Sequence, residues 1–387
     1  MLKRTFLWIL LLFPVSVLAQ EQELEEGLPK VSFGGYLKYL QNITFQEVQE
    51  EWTTDNLIHN RLNFKWYATD ELTAVVEMRN RIFYGEGVKD IPNYQMLVTE
   101  NDYWLDMDAT YLVGESVFAY SILDRAYLDW THGTWQLRVG RQRINWGKTM
   151  VWNPNDIFNT YTFFDFDYEE RPGVDGILVR KYTGMLSSVE FAIALQDSFD
   201  EMTMAGMYRF NKWAYDFQVL AGKMKKDWVM GAGWSGQIGG AGFKGEASYF
   251  YPMKDADKNP ALVASTGVDY TFPNSFYIGG EVILNTDGAT DFLPDFSLLE
   301  PLTPRTLTFN KWSVFAQVSY PLTPLVTVSG SSIFNLNDNS FYLGGSTDIS
   351  LTDNLYLLLV VQSFEGDVGS QFGEAGLLLF WRLKWSF

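Results

Sequence analysis

The sequence predicts an all-β protein: a transmembrane antiparallel up-and-down β-barrel of about 18 strands. Three observations carry that expectation. Segments of about ten residues alternate apolar and polar side chains down the chain, with no sustained helical period. Short turns take turns with long connections, and aromatic residues, 17% of the chain, crowd the segment ends.

Composition narrows the function classes. Across 387 residues, 47 acidic against 29 basic side chains give a formal charge of −18, which leaves no basic footprint for nucleic acid. The chain has no Cys and only two His, so thiolate and imidazole-rich metal sites are excluded and no cofactor is implied. Catalysis has poor candidates. His59 stands four residues from Asp55, on the same strand face but far along it, and His132 sits in a short turn beside Gly133. No enzyme is expected.

The elements follow in chain order. Lys3 and Arg4 precede the apolar run Thr5 to Leu18, and Val17-Leu18-Ala19 ends it, so residues 1–19 read as a signal peptide cleaved near Ala19. The run is too short to span a membrane as a helix. Residues 20–30 form a short acidic periplasmic segment, and 31–387 the barrel. In Val31 to Phe45 the residues Val31, Phe33, Leu37, Tyr39 and Ile43 share one face. Asn56 to Ala68 sets Ile58, Leu62, Phe64 and Trp66 against His59, Arg61, Asn63 and Lys65. Leu72 to Tyr84 sets Leu72, Ala74, Val76, Met78 and Ile82 against Glu77, Arg79 and Arg81. The same period runs through Trp213 to Ala221, Trp312 to Tyr320 and Ala375 to Phe387.

The connections sort into two kinds. Thr69-Asp70-Glu71, Thr131 to Thr134, Asn211-Lys212, Gly239 to Ala241, Pro273 to Ser275, Pro321 to Pro324 and Thr352 to Asn354 are short, whereas Gly85 to Tyr120, Gly147 to Pro172 and Thr286 to Phe309 are long. Short periplasmic turns and long extracellular loops explain that asymmetry, and a soluble sandwich or propeller does not. Trp130, Trp135, Trp213, Trp228, Tyr270, Phe272, Phe276, Trp312 and Tyr320 supply the interfacial girdles.

A terminal strand ending on Phe387, after Trp381 and Trp385, resembles the C-terminal assembly signal of Gram-negative outer-membrane proteins. The stretch Arg138 to Asp175 places Gly140-Arg141-Gln142 before the pair Trp146-Gly147, and resembles a strand-and-loop segment of alginate-export-type and related porin-like barrels. The resemblance implies a diffusion or export channel with a basic lumen, located in the outer membrane of a Gram-negative bacterium. It also implies contact with outer-membrane lipid and lipopolysaccharide and with the barrel-assembly machinery. A homo-oligomer is compatible with it.

Strand alternation, with a bulge invoked for Arg141 and Arg143, supplies the candidate pore-lining residues: Arg61, Lys65, Glu77, Arg79, Arg81, Arg125, Asp129, Arg138, Arg141, Gln142, Arg143 and Arg180. Such a wall either concentrates small polar or anionic solutes or forms a mutually neutralised network. Alternation sends Arg141 and Arg143 toward lipid, at roughly 2–4 kcal/mol for an Arg near mid-membrane, so a bulge at or near Gly140 is expected to turn them inward or up to the rim. The following loop carries Trp152, Asp156, Asp165, Asp167, Glu169, Glu170 and Arg171. Its aromatics fit either a constriction folded into the lumen or an external loop packed on itself. Its carboxylates lack any calcium-loop spacing, so no metal is expected. Passive passage of small solutes leads. The alternatives are export of an acidic polysaccharide, or a closed barrel whose loops bind a partner.

Overall fold

The computed structural model describes residues 30–45, 52–160, 163–164, 170–253, 259–289, 302–373 and 376–387. The expected leader and the acidic segment up to residue 29, with Asp165, Asp167 and Glu169, lie outside the described residues. The chain opens with β1 (Val31–Phe45), β2 (Thr53–Tyr67) and β3 (Leu72–Gly85). A long connection holding α1 (Glu86–Asp90), α2 (Tyr94–Thr99) and β4 (Asp108–Val113) leads to β5 (Val117–His132). After β6 (Trp135–Gln142) comes the second long connection, then β7 (Val174–Gly184), β8 (Ser187–Ala194), β9 (Thr203–Lys212) and β10 (Tyr215–Met224). Next are β11 (Asp227–Ile238), β12 (Ala241–Pro252), β13 (Ala261–Thr271), β14 (Tyr277–Asn285) and β15 (Trp312–Thr323). The chain closes with β16 (Val326–Asn335), β17 (Phe341–Thr352), β18 (Leu355–Glu365) and β19 (Leu377–Ser386).

Each strand pairs antiparallel with its successor, except that β3 passes over β4 to pair with β5. β1 closes the sheet on β19, from Tyr36 opposite Ser386 to Phe45 opposite Leu377. β4 pairs only with β5, alongside the part of it that β6 does not reach, so the closed barrel has 18 strands. Closure leaves no barrel edge unpaired, which is what lets a sheet stand in hydrocarbon. Trp66, Trp130, Trp135, Trp213, Trp228 and Trp385 are exposed on the outer wall. Inward positions are buried: Arg61 on β2, Phe250 on β12, Phe315 on β15 and Tyr342 on β17 are almost fully enclosed.

The expected bulge lies elsewhere. Register runs unbroken through Gly140, which pairs with Tyr127 on one side and Gly176 on the other. Gly140 holds φ at 120°, and a Cβ there would stand 2.2 Å from the Ala126 carbonyl oxygen, so the backbone needs glycine without inserting a residue. The inserted residue is Asp124 on β5, between Leu123 opposite Met78 and Arg125 opposite Glu77. A bulge puts two neighbours on one face, and both Asp124 and Arg125 are therefore buried inside.

Candidate functional site

The lumen is built around the connection between β6 and β7. From Val151 to Asn159 every residue is buried, enclosed by inward side chains of the later strands. Ile144, Trp146, Val151, Trp152, Ile157 and Phe158 form one core with Leu178, Phe250, Ile283, Phe315 and Tyr342. Each large apolar side chain so enclosed contributes about 1.5–3 kcal/mol, so this segment has no reason to stand free in water. Of the two poses its composition allowed, it takes the internal one.

Polar groups on the wall fasten the segment in turn. Gln218 on β10 donates from Nε2 to the Trp146 carbonyl at 2.6 Å, and the Trp146 indole N–H donates to Glu190 on β8. Thr149 donates to Glu246 on β12 at 2.7 Å. Glu281 on β14 accepts three successive backbone N–H groups, from Met150 (2.8 Å), Val151 (3.1 Å) and Trp152 (2.9 Å), and the Ser265 hydroxyl at 2.6 Å. Asn155 donates to the Ala232 carbonyl at 3.0 Å and accepts from Ser248 at 2.8 Å. Gly231 makes room for it, since a Cβ there would lie 2.5 Å from the Asn155 Oδ1. Farther on, Phe163 packs on Phe315 and Phe164 on Tyr342, with ring centroids 5.1 and 5.0 Å apart. Glu170 ends the circuit on the opposite wall, where it accepts from the Tyr36 hydroxyl at 3.1 Å. The connection thus touches the inner wall from β8 round to β18 and then β1.

The opposite wall collects the early arginines, but around an acid. Asp124, fully buried, meets Arg61 at 2.7 Å, Arg79 at 3.3 Å and Arg125 at 3.6 Å. Arg61 also meets Glu77 at 2.5 Å, and Glu170 stands 3.9 Å away. Arg125 donates to the Glu170 carbonyl at 3.1 Å and to that of Arg171. The structure brings Arg61, Glu77, Arg79, Arg125, Glu170 and Arg171 together around Asp124, which without the bulge would lie on the face opposite Arg125. A second group pairs Arg138 with Asp129, and a third pairs Arg180 with Glu190. Lys65 is exposed near the short-turn end of β2. Gln142 is fully buried and donates to the carbonyls of Arg138 and Gly176 at 3.1 and 3.2 Å. Arg143 is half-buried.

Arg141 does not face an open pore or the rim. It is fully enclosed, with bonds to Asp175 on β7 at 2.8 and 2.9 Å and to the Leu123 carbonyl at 2.9 Å, under the ring of Tyr103 at 3.8 Å. The physical reason is that β6 stops at Gln142 while β5 runs on. The first long connection fills that step in the wall and supplies the Leu105 carbonyl as a further acceptor. The same connection covers the mouth near β2, β3 and β5, where Val88, Tyr94, Val98 and Tyr103 pack on Leu57, Phe83, Phe118, Tyr120 and Ile122.

Arg81 near the long-connection end of β3, and Arg209 and Lys148 toward the other end, make no salt bridge within 4.0 Å among the described residues. Arg81 lies between the rings of Phe83 and Tyr120, 5.1 and 4.8 Å from their centroids. Burial, and then the nearby Arg209, push the Lys148 ammonium below its ordinary pKa. His59 and Asp55 do not meet. Asp55 accepts the Gly87 N–H at 2.9 Å, and His59 stands edge-on to Tyr36.

Asp156, in the internal segment, accepts the Trp146 N–H at 3.1 Å, and burial pushes its carboxyl up to about 7 despite Arg143 and Arg171. An acid whose pKa rises on folding favours the folded state below its unfolded value of 3.8, and that contribution is lost as pH rises through about 7. The urea midpoint of the refolded barrel is expected to fall across this window. Asp156→Asn keeps the acceptor for Trp146 and is expected to flatten the fall. An identical pH profile in the variant would remove Asp156 as its source.

No family model matches the sequence, and a search of curated proteins finds no match. Solved structures match along almost the whole chain. OccAB1 of Acinetobacter baumannii superposes with a TM-score of 0.57 at 9% identity, over 93% of this chain and 96% of that one. The outer membrane protein opdK of Pseudomonas aeruginosa gives 0.58 at 10% identity, over 92% and 98%. OccK5 (OpdH) of the same organism gives 0.57 at 10% identity, over 92% and 97%. Identities this low carry the architecture alone, and the chain has the fold of porin-like outer-membrane barrels.

Proposed function

We propose that the protein is an outer-membrane channel through which small polar solutes diffuse, anions in preference. The observation that carries this reading is the β6–β7 connection fastened across the lumen, with cations held in no close salt bridge on either approach: Arg81 on one, and Lys148 and Arg209 on the other, where Asp216, Glu246 and Glu190 offset them only in part. A segment fixed at so many points narrows the lumen permanently, which suits small solutes better than a polysaccharide chain. Low-dielectric walls focus the field of these cations, whereas Arg61, Arg79 and Arg125 are largely cancelled by Asp124, Glu77 and Glu170. Outer-membrane residence accords with the likeness to opdK and with the leader read at residues 1–19.

The test is single-channel current in a planar bilayer, with reversal potential under a salt gradient. Steady conductance with anion preference is expected. Arg81→Gln is expected to lower anion permeability by about fivefold and the anion-to-cation ratio by more, since a unit charge at 4 Å in water shifts each ion by roughly 1 kcal/mol in opposite directions. Cation preference in the wild type would remove the electrostatic part of the proposal. A folded barrel that conducts nothing would remove the channel itself.

A further inference from the structure

Alternation that points Arg61 and Arg79 into the lumen points Asn60 and Asn80 at the outside, and they lie side by side in register, followed by Ser121 and Ala109. A continuous row results. Asn80 donates to Asn60 at 3.1 Å, Ser121 donates to Asn80 at 2.6 Å, and the Tyr111 hydroxyl of β4 stands 3.4 Å from Ser121. Asn60 donates onward to the Tyr36 carbonyl at 3.1 Å. Every outward-facing Asn or Gln on the described barrel strands belongs to this wall, on β1, β2 or β3. The row also lies within the apolar band. Asn60 is roughly 20 Å along a tilted strand from Trp66, which is exposed near the short-turn end of β2, and Ile58 and Leu112 are exposed beyond it.

Hydrocarbon offers such a row nothing. A carboxamide brings two N–H donors and an oxygen with two lone pairs, more than the bonds along the row use, and lipid tails cannot satisfy the remainder. The same wall carries β4, which is paired on one edge only and exposes Tyr111 and Leu112 at 59% and 46%. A partner that fits is uncharged, supplies amide donors and acceptors at the same depth, and can meet an unpaired strand edge. We infer that it is a second copy of this chain, the outer face of β2, β3, β5 and β4 being an interface between barrels in the membrane. Carboxamides are self-complementary across a symmetry axis, and such polar contacts hold membrane segments together. The inference rests on the membrane reading of the barrel and goes beyond the proposed channel.

The native chain lacks cysteine, so one engineered thiol reports alone. Leu112→Cys, refolded into vesicles at high lipid-to-protein ratio and treated with a bifunctional maleimide, is expected to give a covalent dimer. Val268→Cys, also outward-facing but on β13, is not. Adding Asn60→Leu and Asn80→Leu to Leu112→Cys is expected to lower the dimer fraction about tenfold, for about 1.4 kcal/mol of lost contact. Ser121→Ala, a smaller change, should act in the same direction. A dimer absent at Leu112→Cys, equal at Val268→Cys, or indifferent to the Leu substitutions overturns the inference and leaves lipid against the row. Heat-modifiable migration verifies folding of each variant. Current measured in the same vesicles separates the two proposals, because conductance without cross-linking ends only the interface and cross-linking without conductance ends only the channel.

Discussion

Arg141→Ala is expected to cost the barrel about 3–5 kcal/mol, read as a fall in the urea midpoint of the detergent-folded protein and in the temperature at which its compact migration is lost. Arg141 and Asp175 are 0% and 2% exposed at their side chains. Removing the guanidinium leaves the Asp175 carboxylate in the wall with the Leu105 N–H, at 2.8 Å, and strands the carbonyls of Leu123 and Leu105. Breaking one half of a buried pair costs more than the pair contributes, because the surviving charge is neither hydrated nor matched. The double variant Arg141→Leu/Asp175→Leu should recover part of the loss. A single variant as stable as the wild type would mean that water reaches this step in the wall.

Glu281→Ala is expected to release the internal segment where it is held most tightly. The carboxylate accepts three consecutive backbone N–H groups and a serine hydroxyl from within an apolar setting, and hydrogen bonds to a charged group contribute about 1.5–3 kcal/mol each. The remaining anchors at Gln218, Glu190 and Glu246 keep the segment inside, so the expected readout is a larger conductance with greater open-channel noise and a loss of stability on the order of 3 kcal/mol. Glu281→Gln keeps one acceptor oxygen but sets an NH₂ group against the same N–H groups, and should fall between. Unchanged conductance in Glu281→Ala would mean that the segment does not bound the path.

Much of the site was legible in the sequence as sidedness. Arg61, Glu77, Arg79, Arg81, Arg125, Asp129, Arg138 and Arg180 fall on the inward face because a strand alternates strictly, and their register across neighbouring strands follows from that alternation. What escaped was whatever breaks or outlasts a strand. Asp124 escaped because one extra residue on β5 reverses parity, and no local composition marks it. Arg141 was misplaced because its surroundings come from the early end of β6 and from Tyr103 and Leu105, contributed from far away in the chain. Glu246 and Glu281 stand at inward positions that alternation alone treats like any other lumen carboxylate. Only the segment lying over them turns them into anchors.

By itself the sequence determined the closed antiparallel barrel, the inward and outward faces, and the aromatic rims, because period two, turn chemistry and the cost of polar groups in hydrocarbon are local properties that repeat along the chain. The tertiary structure alone decided that the β6–β7 connection lies inside, that three arginines converge on one aspartate, and that an amide row runs unbroken across separate strands. Those outcomes depend on which residues closure and shear bring to the same height, and that is a property of the whole sheet.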